Sequence, residues 1–404
     1  MTTPAATAQA PRLHRARAAV SALFFCNGAM YASILPRYPE IKASLDLSDA
    51  AYGLSIAALP VGALLSGLAA ATLVRRVGSA RLAAYGSVVL SLAILAVGLA
   101  TTPLFFALAL FVVGLLDSVT DVAQNAHGLR VQRGYRRSII NGFHAIWSLG
   151  AVSGGLLSAV AVALRLPLTV HLTATGALFS AVALLALRSC LPGPDEAGGR
   201  ASAAGAGQAP GASVAGSLAT LRRLAPSVVA LALIAIAGVT VEDVGGSWSS
   251  LYLRESLGAP GALAALGYIS LVGFHFLGRL LGDGMVDRFG QRAVARLGGL
   301  LATLGMGAAL AFPTVPSTLL GFAAAGFGVA TLVPAALQAA DALPGLRPGT
   351  GLALLTWLMR LGFLLSPPVI GLISDASDLR TALLVVPVAG VLVLALSRVL
   401  RSRA

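Results

Sequence analysis

Apolar and polar positions are segregated along this chain into long blocks. Uninterrupted apolar runs of about 20 residues, the length that carries a helix through a bilayer core, recur throughout, and each is closed by a short polar turn. They lie near residues 18–38, 52–74, 81–101, 103–128, 138–164 and 167–188, then near 226–253, 260–282, 292–312, 314–340, 349–373 and 379–400. The pattern predicts twelve membrane-spanning helices. A closed barrel would need two-residue alternation, which these runs lack. The stretch between the two sets, 189–225, contains PGPDEAGGRASAAGAGQAPGAS and reads as a flexible cytoplasmic linker. The expected fold is an all-α membrane protein of two six-helix, pseudo-symmetric bundles, 1–188 and 226–404, with the substrate path between them.

Composition agrees. Of 404 residues, 57% are hydrophobic and 11% charged, against about 25% charged in soluble domains. Such a chain cannot cover its own surface in water, which excludes soluble and disordered classes. The net charge of +13 would suit a nucleic-acid binder, but the basic residues gather in short turns between apolar runs. With the N-terminus inside, the cytoplasmic segments hold 21 Arg and the outer loops hold five basic residues: Arg37, Lys42, Arg165, Arg254 and Arg380. That asymmetry places both termini in the cytoplasm and removes the need for a nucleic-acid partner. Cys26 and Cys190 suggest no disulfide framework, and the first apolar run leads into a second span rather than to a signal-peptide cleavage site. No metal-ligand spacing, nucleophile triad or Walker sequence occurs, so no enzyme activity, cofactor, metal or direct ATP drive is expected. GFAAAGFG (Gly321 to Gly328) lies inside an apolar run and is read as close helix packing rather than a nucleotide loop.

The turn after span eight reads GRLLGDGMVDRFGQR, Gly278 to Arg292. It resembles the cytoplasmic loop motif of the major facilitator superfamily: Asp287, Arg288 and Gly290 match its core, and Asp283 stands at its first glycine. In the equivalent turn after span two, ATLVRRVGSAR, Arg75 stands where that family usually has Asp. Three more blocks, DVAQNAHG with FHAIWSLGA, VEDVGGSWSSLYL and GFLLSPPVIG, are similar to the bacterial branch that includes the rhizopine-transport-like (MosC-like) membrane proteins. The resemblance implies a transporter, with Arg279, Asp283, Asp287 and Arg288 forming a gating loop.

Ionisable side chains at bilayer depth cost about 2.5–3.5 kcal/mol each on insertion scales, so each requires a purpose. In span four, Asp117, Asp121 and Asn125 follow at four-residue spacing and share one helix face. Counted from the inner ends, His144 of span five lies roughly 9 Å deep and Asp121 roughly 12 Å deep, so the two can meet. They form either a proton carrier or a polar clamp between the spans. In span seven, Glu242 and Asp243 point about 100° apart, and the branch resemblance favours Glu242 as the one facing the cavity. Trp248 and Tyr252 are read as an interfacial belt, with a substrate platform as the alternative. Arg360 in span eleven, one turn after Trp357, needs an anionic partner: Asp117, Glu242, or a substrate carboxylate or phosphate.

These residues predict a monomeric secondary transporter of the cytoplasmic membrane, moving a small polar solute by alternating access and coupled to protons. Asp121, His144 and Glu242 would carry protons. Asn27, Asp117, Asn125, Trp147, Trp357 and Arg360 would line the path. A drug or metabolite exporter of the same fold is the first alternative, and a non-transporting membrane sensor a remote one.

Overall fold

The computed structural model describes residues 4–135, 139–193, 214–344 and 349–400. Among the described residues every regular element is helical. Twelve spans are long and apolar enough to cross a membrane. The first six are Pro11–Ser44, the helix Asp49–Val77, Ser79–Gly98, Pro103–Tyr135, Ile140–Ala163 and Leu168–Leu187. The second six are Leu224–Ser247, Gly261–Phe289, Gln291–Ala311, Val315–Asp341, Thr350–Ala376 and Leu379–Val399. Large apolar side chains point outward, as with Leu104 (70% exposed) and Phe312 (75%), which is stable only where the surrounding solvent is itself apolar.

The chain divides into two compact units, Met1–Asp195 with Pro260–Ile269, and Glu196–Ala259 with Ser270–Ala404. Within each, small residues let backbones approach. In the GFAAAGFG segment, a Cβ on Gly326 would fall on the Leu271 carbonyl, and one on Gly328 on the Gly298 carbonyl. Close packing therefore explains this motif.

Several boundaries differ from the sequence pattern for local reasons. Span one continues past Ile34 through a 3₁₀ turn into the helix Tyr38–Ser44. Two expected outer-loop charges are thus folded into it: Arg37 pairs with Glu40 at 3.0 Å and donates to the Leu166 carbonyl at 2.9 Å, and Lys42 pairs with Asp49 at 2.9 Å. Span ten breaks after Val329 and resumes at Leu332. Pro334 has no N–H to offer the Ala330 carbonyl, and the break falls at that missing bond. The expected linker is also shorter than its composition implies. Its last part is helical from Val214, with Pro226 inside the helix, while residues 194–213 lie outside the described residues. Its first part is clasped to span four, since Arg130 Nη1 donates to the Gly193 carbonyl at 3.0 Å and its Nη2 to that of Pro192. At the start of span twelve, Asp378 accepts the Thr381 N–H at 2.6 Å, which holds its carboxyl below the usual range.

The expected gating loop is not a loop. Arg279, Asp283, Asp287 and Arg288 all lie on the helix of span eight, which ends at Phe289, and Gly290 alone makes the turn. Gly290 has φ 84° and ψ 154°; its counterpart after span two, Gly78, has φ 90° and ψ 140°. Each donates its N–H four residues back, to Val286 and Val74. The two halves therefore share one turn chemistry although Arg75 and Asp287 differ in sign. Because only glycine is at ease at such angles, Gly290→Ala should cost about 1–3 kcal/mol. Gly284→Ala, in the open helix six residues earlier, should be neutral or stabilising. Thermal unfolding of the two purified variants side by side checks this.

Candidate functional site

Spans one, four and five of the first unit bring the polar residues together. Spans one and five cross in backbone contact: a Cβ on Gly28 would fall on the Trp147 carbonyl, and one on Gly150 on that of Phe25. This close crossing sets Asn27 beside Trp147. The Trp147 indole N–H donates to Asn27 Oδ1 at 2.7 Å, and Asn27 Nδ2 donates to Asp117 Oδ1 at 2.8 Å. Asn27 is buried, at 2% exposure, while Asp117 and Trp147 are half-buried.

One turn further along span four the same motif repeats. Asn125 Nδ2 donates to Asp121 Oδ1 at 2.9 Å and to the Asp121 main-chain oxygen at 2.9 Å, and His144 Nε2 meets Asn125 Oδ1 at 3.2 Å. Asp121 and Asn125 are half-buried and His144 is exposed. The buried Phe24 ring packs edge-on against the His144 ring, with centroids 5.3 Å apart. Each carboxylate is thus linked to a ring nitrogen of span five through an asparagine amide. Periodicity placed Asp117, Asp121 and Asn125 on one face and His144 near them. It did not show that Asn125 stands between His144 and Asp121, nor that Asn27 belongs to Asp117.

The second unit holds a separate set of acids. Glu242 faces Arg279 of span eight at 3.9 Å, both side chains half-exposed. Asp243 accepts from Ser366 at 2.9 Å and from Ser247 at 3.4 Å. The two acids do point different ways, as their helix angle requires. Neither Arg279 as partner of Glu242 nor the serines of Asp243 were foreseen. Ser247, four residues after Asp243, was recoverable from spacing, whereas Ser366 sits 123 residues away and gives no local signal. Arg360 does not take Glu242, the candidate partner in its own unit. Its guanidinium lies 5.9 Å over the Trp357 ring, and both residues are exposed. Trp248 and Tyr252 are 0% and 1% exposed, so the interfacial belt expected of them is overturned: they fill the bundle interior near the end of span seven. Asp283, Asp287 and Arg288 are exposed at the end of span eight, and Arg288 lies against the Phe289 ring at 5.4 Å. Among the described residues no group of His, Cys, Asp or Glu could hold a metal ion.

Twelve apolar spans define a multi-pass α-helical membrane protein. The sequence profile described as Major Facilitator Superfamily matches residues 20–284 and 274–404, and the chain belongs to that family. It is similar to an uncharacterised transporter of Sinorhizobium fredii, at 29% identity over 95% of this chain and 97% of that one. It is also similar to membrane protein MosC of Rhizobium meliloti, at 27% identity over 93% and 88%. Among solved structures, the nucleoside transporter NupG superposes with a TM-score of 0.69 at 14% identity, covering 95% of this chain and 98% of that one. A D-xylose–proton symporter superposes with a TM-score of 0.67 at 16% identity, covering 95% and 96%. The protein is therefore a multi-pass membrane transporter.

The crossing at Gly28 is the part of this site most sensitive to volume. Gly28→Ala forces spans one and five apart against a carbonyl that cannot move alone, and overpacking of this kind costs about 1–3 kcal/mol. The melting temperature of the purified variant should fall accordingly, and an unchanged value would contradict the contact.

Proposed function

We propose that this protein is a proton-coupled secondary transporter that carries a small polar, hydroxylated or cationic solute across the cytoplasmic membrane by alternating access. In this reading it is a monomer with both termini in the cytoplasm, and six-helix halves open the path to either side in turn. The observation that carries the reading is the pair of carboxylate relays on span four. Two acids one turn apart, joined to span five through amides, are costly in hydrocarbon and need water, protons or cargo to justify them.

Asp121 takes the proton with His144 assisting through Asn125, and Glu242 provides a second protonatable group in the other half. Protonation of Glu242 would release Arg279 from its loose pair. Asn27, Asp117, Asn125, Trp147, Trp357 and Arg360 line the solute path, and Arg279, Asp283, Asp287 and Arg288 form the gate on the inner end of span eight. A proton or solute can shift the balance of inward and outward states only by binding them unequally. Carboxylates that change partners between states supply that inequality. The fold also serves a nucleoside transporter and a D-xylose–proton symporter, which supports a solute of modest size and many hydroxyls.

A thermal-shift screen of sugars, polyols, nucleosides, amines and antibiotics identifies a ligand, because binding to the folded state raises apparent stability. In proteoliposomes the wild type should then accumulate that ligand when a pH gradient is imposed. Asp121→Asn should abolish accumulation while retaining exchange of labelled for unlabelled ligand. Accumulation of unaltered pH dependence in this variant would remove Asp121 from the coupling.

A further inference from the structure

We propose that the two carboxylates of span four have opposite assignments, Asp121 exchanging the proton while Asp117 keeps its negative charge, and that Trp147 and His144 enforce the difference through Asn27 and Asn125. The inference rests on the proton-coupled reading of the same site and says which acid does the coupling and why.

The argument turns on what each ring nitrogen can do. An indole N–H donates and never accepts. With Trp147 donating at 2.7 Å, Asn27 must turn its oxygen to the indole and its NH₂ to Asp117. Reversing the amide would set two donors against each other. Asp117 therefore always meets an N–H at 2.8 Å, and hydrogen bonds to the charged form of an acid favour that form. Its second oxygen is the group available to a hydrogen-bond donor or cation on the solute.

An imidazole nitrogen, by contrast, donates in one tautomer and accepts in the other. In the structure Asn125 turns its oxygen to His144 Nε2 and its NH₂ to Asp121, the arrangement that suits a protonated Nε2 and a charged Asp121. When Asp121 takes a proton, its O–H needs an acceptor. The amide can then reverse, its oxygen accepting from Asp121 and its NH₂ donating to a bare Nε2. The histidine proton moves from Nε2 to Nδ1 through water at the exposed ring, so His144 is neutral in both arrangements and the single proton gained resides on Asp121. Reversal gives up the Asn125 bond to the Asp121 main-chain oxygen, but that carbonyl keeps its helical N–H partner. One relay thus has two stable settings and the other has one.

The surroundings allow this asymmetry to act. Spans one, two, three and five pack against span four. The first three carry charged side chains only toward their ends, and span five contributes His144 alone. His127, lower on span four, is engaged by Ser79 Oγ at 3.0 Å and by the Leu191 N–H at 3.3 Å. No basic side chain of these spans therefore neutralises the stripe at mid-depth, and a proton on one acid relieves its repulsion with the other.

Infrared difference spectroscopy of the full-length protein in lipid vesicles, stepped between alkaline and acidic pH without any solute, tests the assignment. The carbonyl stretch of a protonated carboxylic acid should appear on acidification, vanish in Asp121→Asn and persist in Asp117→Asn. Trp147→Phe removes the obligate donor, so a second pH-dependent band should arise and be lost again in Trp147→Phe/Asp117→Asn. A band that disappears with Asp117→Asn and survives Asp121→Asn overturns the proposal, as does a folded Trp147→Phe protein with the wild-type spectrum. If Trp147→Phe does not fold, the two aspartate variants decide. Reversed bands in a protein that still accumulates its solute with protons would sink this assignment alone. The expected bands in a protein without transport would sink only the reading on which it rests.

Discussion

An ionised carboxylate cannot remain in hydrocarbon unsolvated, and this constraint organises the first half of the molecule. Asp117 and Asp121 sit within an apolar run whose other faces present leucine and valine outward. They are tolerable there because each accepts from an asparagine amide, Asp117 from Asn27 of span one and Asp121 from Asn125 of its own helix, and each of those amides is held in turn by a ring nitrogen of span five. Asn27 sits beside Trp147 because glycine at 28 and 150 lets spans one and five touch backbone to backbone. For Asp117 the small residues, the asparagine and the helix crossing are parts of one solution, because Asn27 reaches it from the span that Gly28 and Gly150 hold against span five.

The two halves meet the same constraint differently. In the first unit the acids are reached through asparagines. In the second, one acid faces an arginine across a gap of 3.9 Å and the other is held by two serines. The halves nonetheless share their turn chemistry, with Gly78 and Gly290 in almost the same backbone conformation. The shared part is what a tight helix–helix turn demands of any sequence. The part that differs is the set of charges that solute and protons would meet.

The fold was largely legible in the sequence because hydrophobic run length and turn residues are local signals, and these set eight of the twelve spans to within a few residues; the first folds on to Ser44, the fourth and eighth run seven residues further, to Tyr135 and Phe289, and the helix of the seventh begins at Val214. The site was legible only in outline. Four-residue spacing put Asp117, Asp121 and Asn125 on one face, but spacing along a helix says nothing of which neighbour meets it. The Asn27–Asp117 and Asp243–Ser366 bonds join residues 90 and 123 positions apart. Trp248 and Tyr252 were misread because an aromatic near a span end looks interfacial whether it faces lipid or the bundle interior. Asp283, Asp287 and Arg288 belong to a loop motif by sequence, but the helix of span eight runs on to Phe289 and carries them; Arg279, within the expected span, gave no local signal of Glu242 as its partner.

The claim beneath all of this is that the span-four stripe faces water while its other side faces lipid. Spin labels at Asp121→Cys and, separately, at Leu108→Cys, in a background lacking Cys26 and Cys190, test it through their collisions with a water-soluble nickel chelate and with oxygen. The account predicts that the label at 121 is relaxed by the chelate and the label at 108 by oxygen alone. A label at 121 that senses oxygen and never the chelate would place the carboxylate among acyl chains and contradict the account.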